Sequence, residues 1–388
     1  MASAAPTTRA HAIDAVRGAV VLIMALDHVR DFLGNAHFDA TDLGRTTVPL
    51  FLSRWITHFC APTFFLLAGA SAYLAIRGGR RTVRGAARFL AVRGAALIVI
   101  EQTALRCLGW YFHADYHFMN AGVLYGLGGA MILLAGMVWL PPRASLGLGL
   151  AIILGEAGVV KLGDLGAALA LVTQSRDFEP ARDYHFFVSY PPIPWFGVMA
   201  FGYGMADLVY GNLVPRRRPL LGFALGGLAV LVVLRALDLG DATPWTADHP
   251  VLSLVNVNKY PPSTPFLLLT LGGTLLAWYA CEHARPISRP RAIIEVYGRA
   301  PLFFYLLHIP LIHLLAVVYA NLAFGTATWL TSGPVIFWDV ALPGSPPDYG
   351  FALPIVWLIW AAFVAAMYPA CRWYVTRRRG SRAAPSAA

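Results

Sequence analysis

The sequence predicts an all-α fold, a polytopic transmembrane helical bundle, and three observations carry that prediction. Of 388 residues, 58% are hydrophobic and only 13% charged, with a mean hydropathy of +0.60. A water-soluble domain of that composition would expose large apolar patches. Apolar runs of bilayer-crossing length recur along the whole chain. The arginines fall in short clusters between those runs, and every second connection is basic. The net charge of +10 is therefore read as topology. Nucleic acid is excluded as a partner, because the cations form no stripe on a polar folded face.

The first run, Ile13 to Leu33, is too long for a signal-peptide core and lacks a small-residue cleavage site, so it stays as a span. Further spans are expected near 50–76, 89–109, 119–140, 144–163, 190–213, 219–237, 262–282, 300–320 and 351–375, about ten in all. Arg77, Arg80, Arg81, Arg84 and Arg88 share one connection, Arg143 marks the next basic one, and Arg216, Arg217 and Arg218 a third. Arg285, Arg289, Arg291 and Arg299 make a fourth, and the tail reads TRRRGSR. All of these fall on one side when both termini are cytoplasmic. The alternate connections are longer, carry the acids and face outside: NAHFDATDLGR, SRDFEPARDYHF, LGDATPWTADHP and FWDVALPGSPPDYG. The expected organisation is a cytoplasmic segment 1–11, one transmembrane domain over 12–376 and a basic, disordered tail over 377–388. Cys60, Cys107, Cys281 and Cys371 are scattered through apolar segments, so neither a disulfide framework nor a zinc site follows.

The first span carries the chemistry. Its stretch RGAVVLIMALDHVRD opens on Arg17 and closes on Asp27, His28, Arg30 and Asp31. Eleven residues are close to three helical turns, so Arg17 and His28 share a face roughly 16 Å apart along the axis. Asp14 and Asp31 lie near the same stripe, while Asp27 is displaced and Arg30 points nearly the opposite way. Ionisable groups inside a membrane are costly and signal function by default. The competing structural reading lets Arg17 snorkel to headgroups while the acids cap the helix end. In the second span, FLSRWITHFCAPTFFLLAG, Arg54 and His58 are four apart. Pro62 cannot donate to the His58 carbonyl, which predicts a kink there.

Several stretches together resemble a known family. IDAVRG, the Arg17-to-His28 spacing and THFCAPTFFLLAGASAYL resemble the bacterial relatives of heparan-α-glucosaminide N-acetyltransferase. YPPIPWFGVMAFGYGMA at 190–206, NKYPPSTPFLLLTLG at 258–272 and GRAPLFFYLLHIPLIH at 298–313 look like the same group, so the similarity spans most of the chain. The Arg-x10-His spacing is also similar to membrane O-acyltransferases of envelope polysaccharides. The resemblance implies acyl transfer across a bacterial inner membrane, with acetyl-CoA as the cytoplasmic donor and a carbohydrate-like hydroxyl or amine acceptor outside. The family places its catalytic histidine between the first two spans, where His37 stands, but the residues around His37 do not match. His28 holds the O-acyltransferase position and is the first candidate; His37 is the second.

A neutral imidazole there could take a proton from the acceptor or take the acetyl group itself, with Asp27 or Asp31 orienting the ring. Asp14 and Arg17 would meet the donor's anionic portion. Arg54, His58, His308 and Trp195 are candidate substrate contacts. His113, Asp115 and His117 form no ligand set with a third cluster, so no metal is expected. In the span near 300–320, Pro310 suggests a broken helix, with His308 in a cavity and His313 at the interface. Glu156 and Lys161 read as a buried pair, and Tyr190, Trp195 and Tyr260 as an interfacial belt or a sugar platform. The alternative function is a permease using the same Asp, Arg and His side chains as a relay; no matched broken helices in two halves support it. A homo-oligomer stays open.

Overall fold

The structure, a computed structural model, describes residues 7–161, 166–212, 215–284, 288–333, 336–337 and 340–383. It is mostly helical. In chain order run α1 (Thr7–Leu33), α2 (Val48–Trp55), α3 (Cys60–Arg77), α4 (Val83–Ile100), β1 (Phe118–Ala121), α5 (Val123–Met137) and α6 (Pro142–Lys161). Then come α7 (Ala167–Thr173), β2 (Asp177–Ala181), β3 (Tyr184–Val188), α8 (Pro192–Tyr210), α9 (Arg218–Ala236), α10 (Pro250–Val255) and α11 (Thr264–His283). The chain closes with α12 (Arg289–Arg299), α13 (Pro301–Phe324), α14 (Thr328–Thr331), β4 (Ile336–Phe337), β5 (Val340–Ala341) and α15 (Leu353–Ala383). Among the described residues, Val48–Arg77, Arg218–Ala236, Thr264–His283, Pro301–Phe324 and Leu353–Arg378 are long and apolar enough to cross a membrane. Helix α1 has the length but is more charged, carrying Asp14, Arg17, Asp27, Arg30 and Asp31.

The chain forms two compact units. One comprises Ala61–Arg106 and Asp115–Glu282; the other comprises Thr7–Cys60, Cys107–Ala114 and His283–Ala388. In the first, helices approach through small residues. A Cβ at Gly94 would overlap the Gly128 carbonyl and the reverse holds equally, which lets α4 and α5 pack backbone to backbone. Lipid offers no hydrophobic drive between helices, so such close contact supplies the packing energy. Strand β3 pairs parallel with β1 and antiparallel with β2. Arg235, 1% exposed, donates to the Ser253 carbonyl at 2.6 Å and the Thr243 carbonyl at 3.1 Å. It thereby anchors the connection between α9 and α11. Glu101 accepts from the amides of Leu124 (2.9 Å) and Tyr125 (2.6 Å), serving as the cap that Gly122 lacks at the start of α5. Glu156 is buried too, while the Lys161 side chain expected to pair with it lies outside the described residues.

In the second unit, Gly18 and Gly298 bring α1 against α12: a Cβ at either would overlap the other helix's backbone, at Ile294 or Asp14. Trp360 of α15 donates to the Leu22 carbonyl at 2.8 Å. Beyond α1, Gly34 bridges in parallel to Phe351, and Gly350 adopts a φ of +95°, open to glycine alone without strain.

Where a kink was expected in the second apolar segment, a 3-10 turn over Ile56–Phe59 lies between α2 and α3, just ahead of Pro62, which withholds its amide. The expectation for Pro310 is corrected, because α13 runs unbroken from Pro301 to Phe324. One missing rung is tolerated when the hydrogen bonds on either side persist. His313 is likewise not interfacial. It is fully buried, with Nδ1 2.7 Å from the Gly109 carbonyl and Nε2 2.9 Å from that of Leu330.

Candidate active site

The carboxyl end of α1 gathers an ionic network inside the second unit. Asp27, 8% exposed, accepts from Arg30 (2.6 Å), from Arg54 (2.9 and 2.7 Å) and from Thr57 (2.8 Å). Arg30 also holds Asp31 at 2.7 Å. Among the described residues, two guanidiniums thus face two carboxylates, so that the largely buried charges balance. Arg30 was expected to point away from this group; a long side chain one turn on from Asp27 reaches back to it instead.

His28 stands beside this network. Its Nδ1 lies 3.9 Å from the Asp31 carboxylate, so Asp31 is the acid that approaches the imidazole. The ring meets Trp110 edge-on, with centroids 5.2 Å apart, and faces His308 at 5.1 Å. His308, fully buried, aims Nδ1 at the carbonyls of Tyr305 (2.8 Å) and Phe304 (3.1 Å). A carbonyl can only accept, so Nδ1 must carry the proton. In a neutral ring Nε2 then keeps a lone pair, and no hydrogen bond reaches that atom among the described residues. The sequence named both histidines, but nothing in it paired positions 280 residues apart.

The other candidates fall as follows. His58 is buried in the 3-10 turn. His37, in the loop after α1, has Nδ1 3.3 Å from the Ser345 hydroxyl and stacks on Tyr349. Burial lowers its pKa, against smaller opposing contributions from hydrogen bonds to the backbone of Tyr349 and Gly34. Trp195 belongs to the first unit and is fully buried, stacked on Phe65 at 4.7 Å. It is neither a belt residue nor an open platform, because no face of the ring is exposed. Trp110 was missed; one aromatic among many in an apolar run gives no signal.

The amino end of α1 forms a second cluster in the same unit. Arg17 donates to Asp14 (3.3 Å) and to the Gly298 carbonyl (3.1 Å). Arg299 joins Asp14 (3.2 Å) to Glu295 (2.7 Å), and Glu295 also takes Arg291 (3.2 Å) and His11 (2.6 Å). Among the described residues, three guanidiniums there face two carboxylates, one more cation than anion.

Comparison with known proteins bears on this arrangement. The family model described as "Heparan-alpha-glucosaminide N-acetyltransferase, catalytic" matches residues 9–234, more than half of the chain and all of α1 to α8 except the first two residues of α1. His308 lies beyond the matched residues. No curated protein matches the sequence.

Proposed function

The chain belongs to the heparan-α-glucosaminide N-acetyltransferase catalytic family, and from that premise we propose that it moves an acetyl group from cytoplasmic acetyl-CoA to a carbohydrate-like acceptor across a bacterial inner membrane. In this reading about ten spans over 12–376 form one transmembrane domain, and the segments 1–11 and 377–388 are cytoplasmic. The amino end of α1 meets the donor. Its cationic excess around Arg17 suits an anionic nucleotide portion, with Asp14 fixing the guanidinium. The apolar turns between Arg17 and His28, roughly 16 Å long, accompany the extended donor toward the carboxyl end.

There His28 acts as the base. Its imidazole removes a proton from the acceptor amine or hydroxyl, whose nitrogen or oxygen attacks the acetyl carbonyl. The carbon–sulfur bond breaks, CoA leaves as the thiolate, and the proton held on His28 passes to it. Asp31 stabilises the transient imidazolium. The Nε2 lone pair of His308 offers a further proton acceptor beside His28, and Arg54 and His58 line the acceptor's approach. His37 is the second candidate for the base. The observation that carries this reading is the pairing of His28 with the tautomer-fixed ring of His308 beside a charge-balanced network.

The test uses purified protein in proteoliposomes given acetyl-CoA and a glucosamine acceptor. Free thiol is expected to appear with wild-type protein, and its rate to fall by about 10³-fold in His28→Ala. Thiol release undiminished in His28→Ala contradicts the proposal. So does accumulation of a solute inside the vesicles with no thiol formed.

A further inference from the structure

The first unit holds a largely buried cation that has neither an acid nor a hydrogen-bond acceptor among the described residues. Lys259, 9% exposed, makes no ion pair and no hydrogen bond among the described residues. Its ammonium lies over the rings of Tyr260 (4.9 Å) and Tyr190 (5.9 Å). Two ring faces attract a cation by their quadrupoles but do not replace its hydration shell. An ammonium largely withdrawn from water gains from an anion or oxygen acceptors at its open side.

The surroundings are built rather than loose. The Asp241 carboxylate accepts from the backbone amides of Thr243 (2.7 Å) and Asn258 (3.2 and 3.0 Å) and also bonds the Ser263 hydroxyl. Asn258 in turn holds the Pro261 carbonyl at 3.1 Å. Lys259 is therefore carried on a fixed loop, next to an anchored residue. On the other side, the Tyr190 amide bonds the Ala121 carbonyl at 3.2 Å, and the two tyrosine hydroxyls lie 3.3 Å apart. Trp195 packs on Tyr190 at 5.1 Å, and its indole N–H is a fully buried donor with no acceptor among the described residues. Tyr260 keeps 38% of its surface exposed, so the cluster is open on that side.

We propose that Lys259, Tyr190 and Tyr260 form a binding site for an oxyanion, the carboxylate, sulfate or phosphate of a ligand that lies against the Tyr260 ring. The ammonium supplies the charge and the phenols supply hydrogen bonds. The source of the anion is an acidic saccharide or a lipid headgroup. The site requires no acetyl transfer, so it stands or falls apart from the activity proposed above.

The experiment is equilibrium binding without acetyl-CoA, using the full chain in phosphatidylcholine nanodiscs and following tryptophan fluorescence or heat. Glucuronate is the acidic probe, glucose its neutral counterpart, and nanodiscs rich in phosphatidylglycerol supply the lipid arm. Glucuronate should bind at least about tenfold more tightly than glucose, with Lys259→Arg retaining affinity and Lys259→Met losing about tenfold. Lys259→Met keeps the unbranched stem and removes an uncompensated charge, so it should fold. If phosphatidylglycerol abolishes glucuronate binding to wild-type protein, the same site takes the headgroup. Glucuronate binding that is absent in neutral nanodiscs, or equal in wild type and Lys259→Met, overturns the proposal.

Discussion

The two ends of α1 are both ionic, yet they differ in what they leave over. At the amino end three guanidiniums, of Arg17, Arg291 and Arg299, face the carboxylates of Asp14 and Glu295, so that among the described residues cations outnumber acids. At the carboxyl end Arg30 and Arg54 balance Asp27 and Asp31, and what remains is a pair of imidazoles. A cluster with more cations than acids attracts an anion; a neutral imidazole in a balanced field can move a proton. In the proposed reaction, one helix thus separates holding a donor from reacting with it.

That contrast can be broken at several points. Asp27→Ala removes the shared acceptor of Arg30, Arg54 and Thr57, leaving Arg30 its pair with Asp31 and taking from Arg54 the carboxylate it grips with two hydrogen bonds. It is expected to destabilise the folded chain by about 3–5 kcal/mol, read as a lower melting midpoint in detergent. His308→Gln removes the Nε2 lone pair while leaving the ionic network untouched, so turnover should fall by about 10²-fold with little change in melting. An unchanged turnover would reduce His308 to packing. Gly298→Ala forces a Cβ into the Asp14 carbonyl and should lower stability by about 1–3 kcal/mol, with the α1–α12 contact weakened.

The smallest effect concerns His37, whose lowered pKa means that the unfolded chain binds the proton more readily. Its contribution to stability is present above the ordinary value of 6.5 and is lost as pH falls from there toward the lowered folded value. His37→Ala should therefore flatten part of the drop in melting temperature below pH 6.5, at near wild-type turnover at pH 7. A collapse of turnover in His37→Ala would move the reacting imidazole from the helix to the loop.

Much of the architecture was legible because it follows from local rules. Apolar run length marked the helices, and Pro62 marked the break before α3. Pro310 misled, since a proline's missing amide removes one hydrogen bond and the rest of α13 holds the line. Within the site, Arg17, Asp27, His28 and Asp31 were readable as charges a bilayer would not tolerate idly. Their pairing was not, because side-chain reach decides it: Arg30 turns back to Asp27, and His308 arrives from a helix 280 positions away. Glu101 went unnoticed as a helix cap; a lone acid in an apolar run ahead of a side-chain-free Gly122 was the available signal. Lys259 had one too, being one of only two lysines in the chain.

The division of labour along α1 is tested most directly by steady-state kinetics of acetyl-CoA thiol release in Arg17→Ala and His28→Ala, side by side. Arg17→Ala should raise KM for acetyl-CoA by about tenfold at a nearly unchanged kcat, and His28→Ala should lower kcat by about 10³-fold at a nearly unchanged KM. A His28→Ala protein that keeps its kcat, or an Arg17→Ala protein that loses kcat at constant KM, would contradict the account.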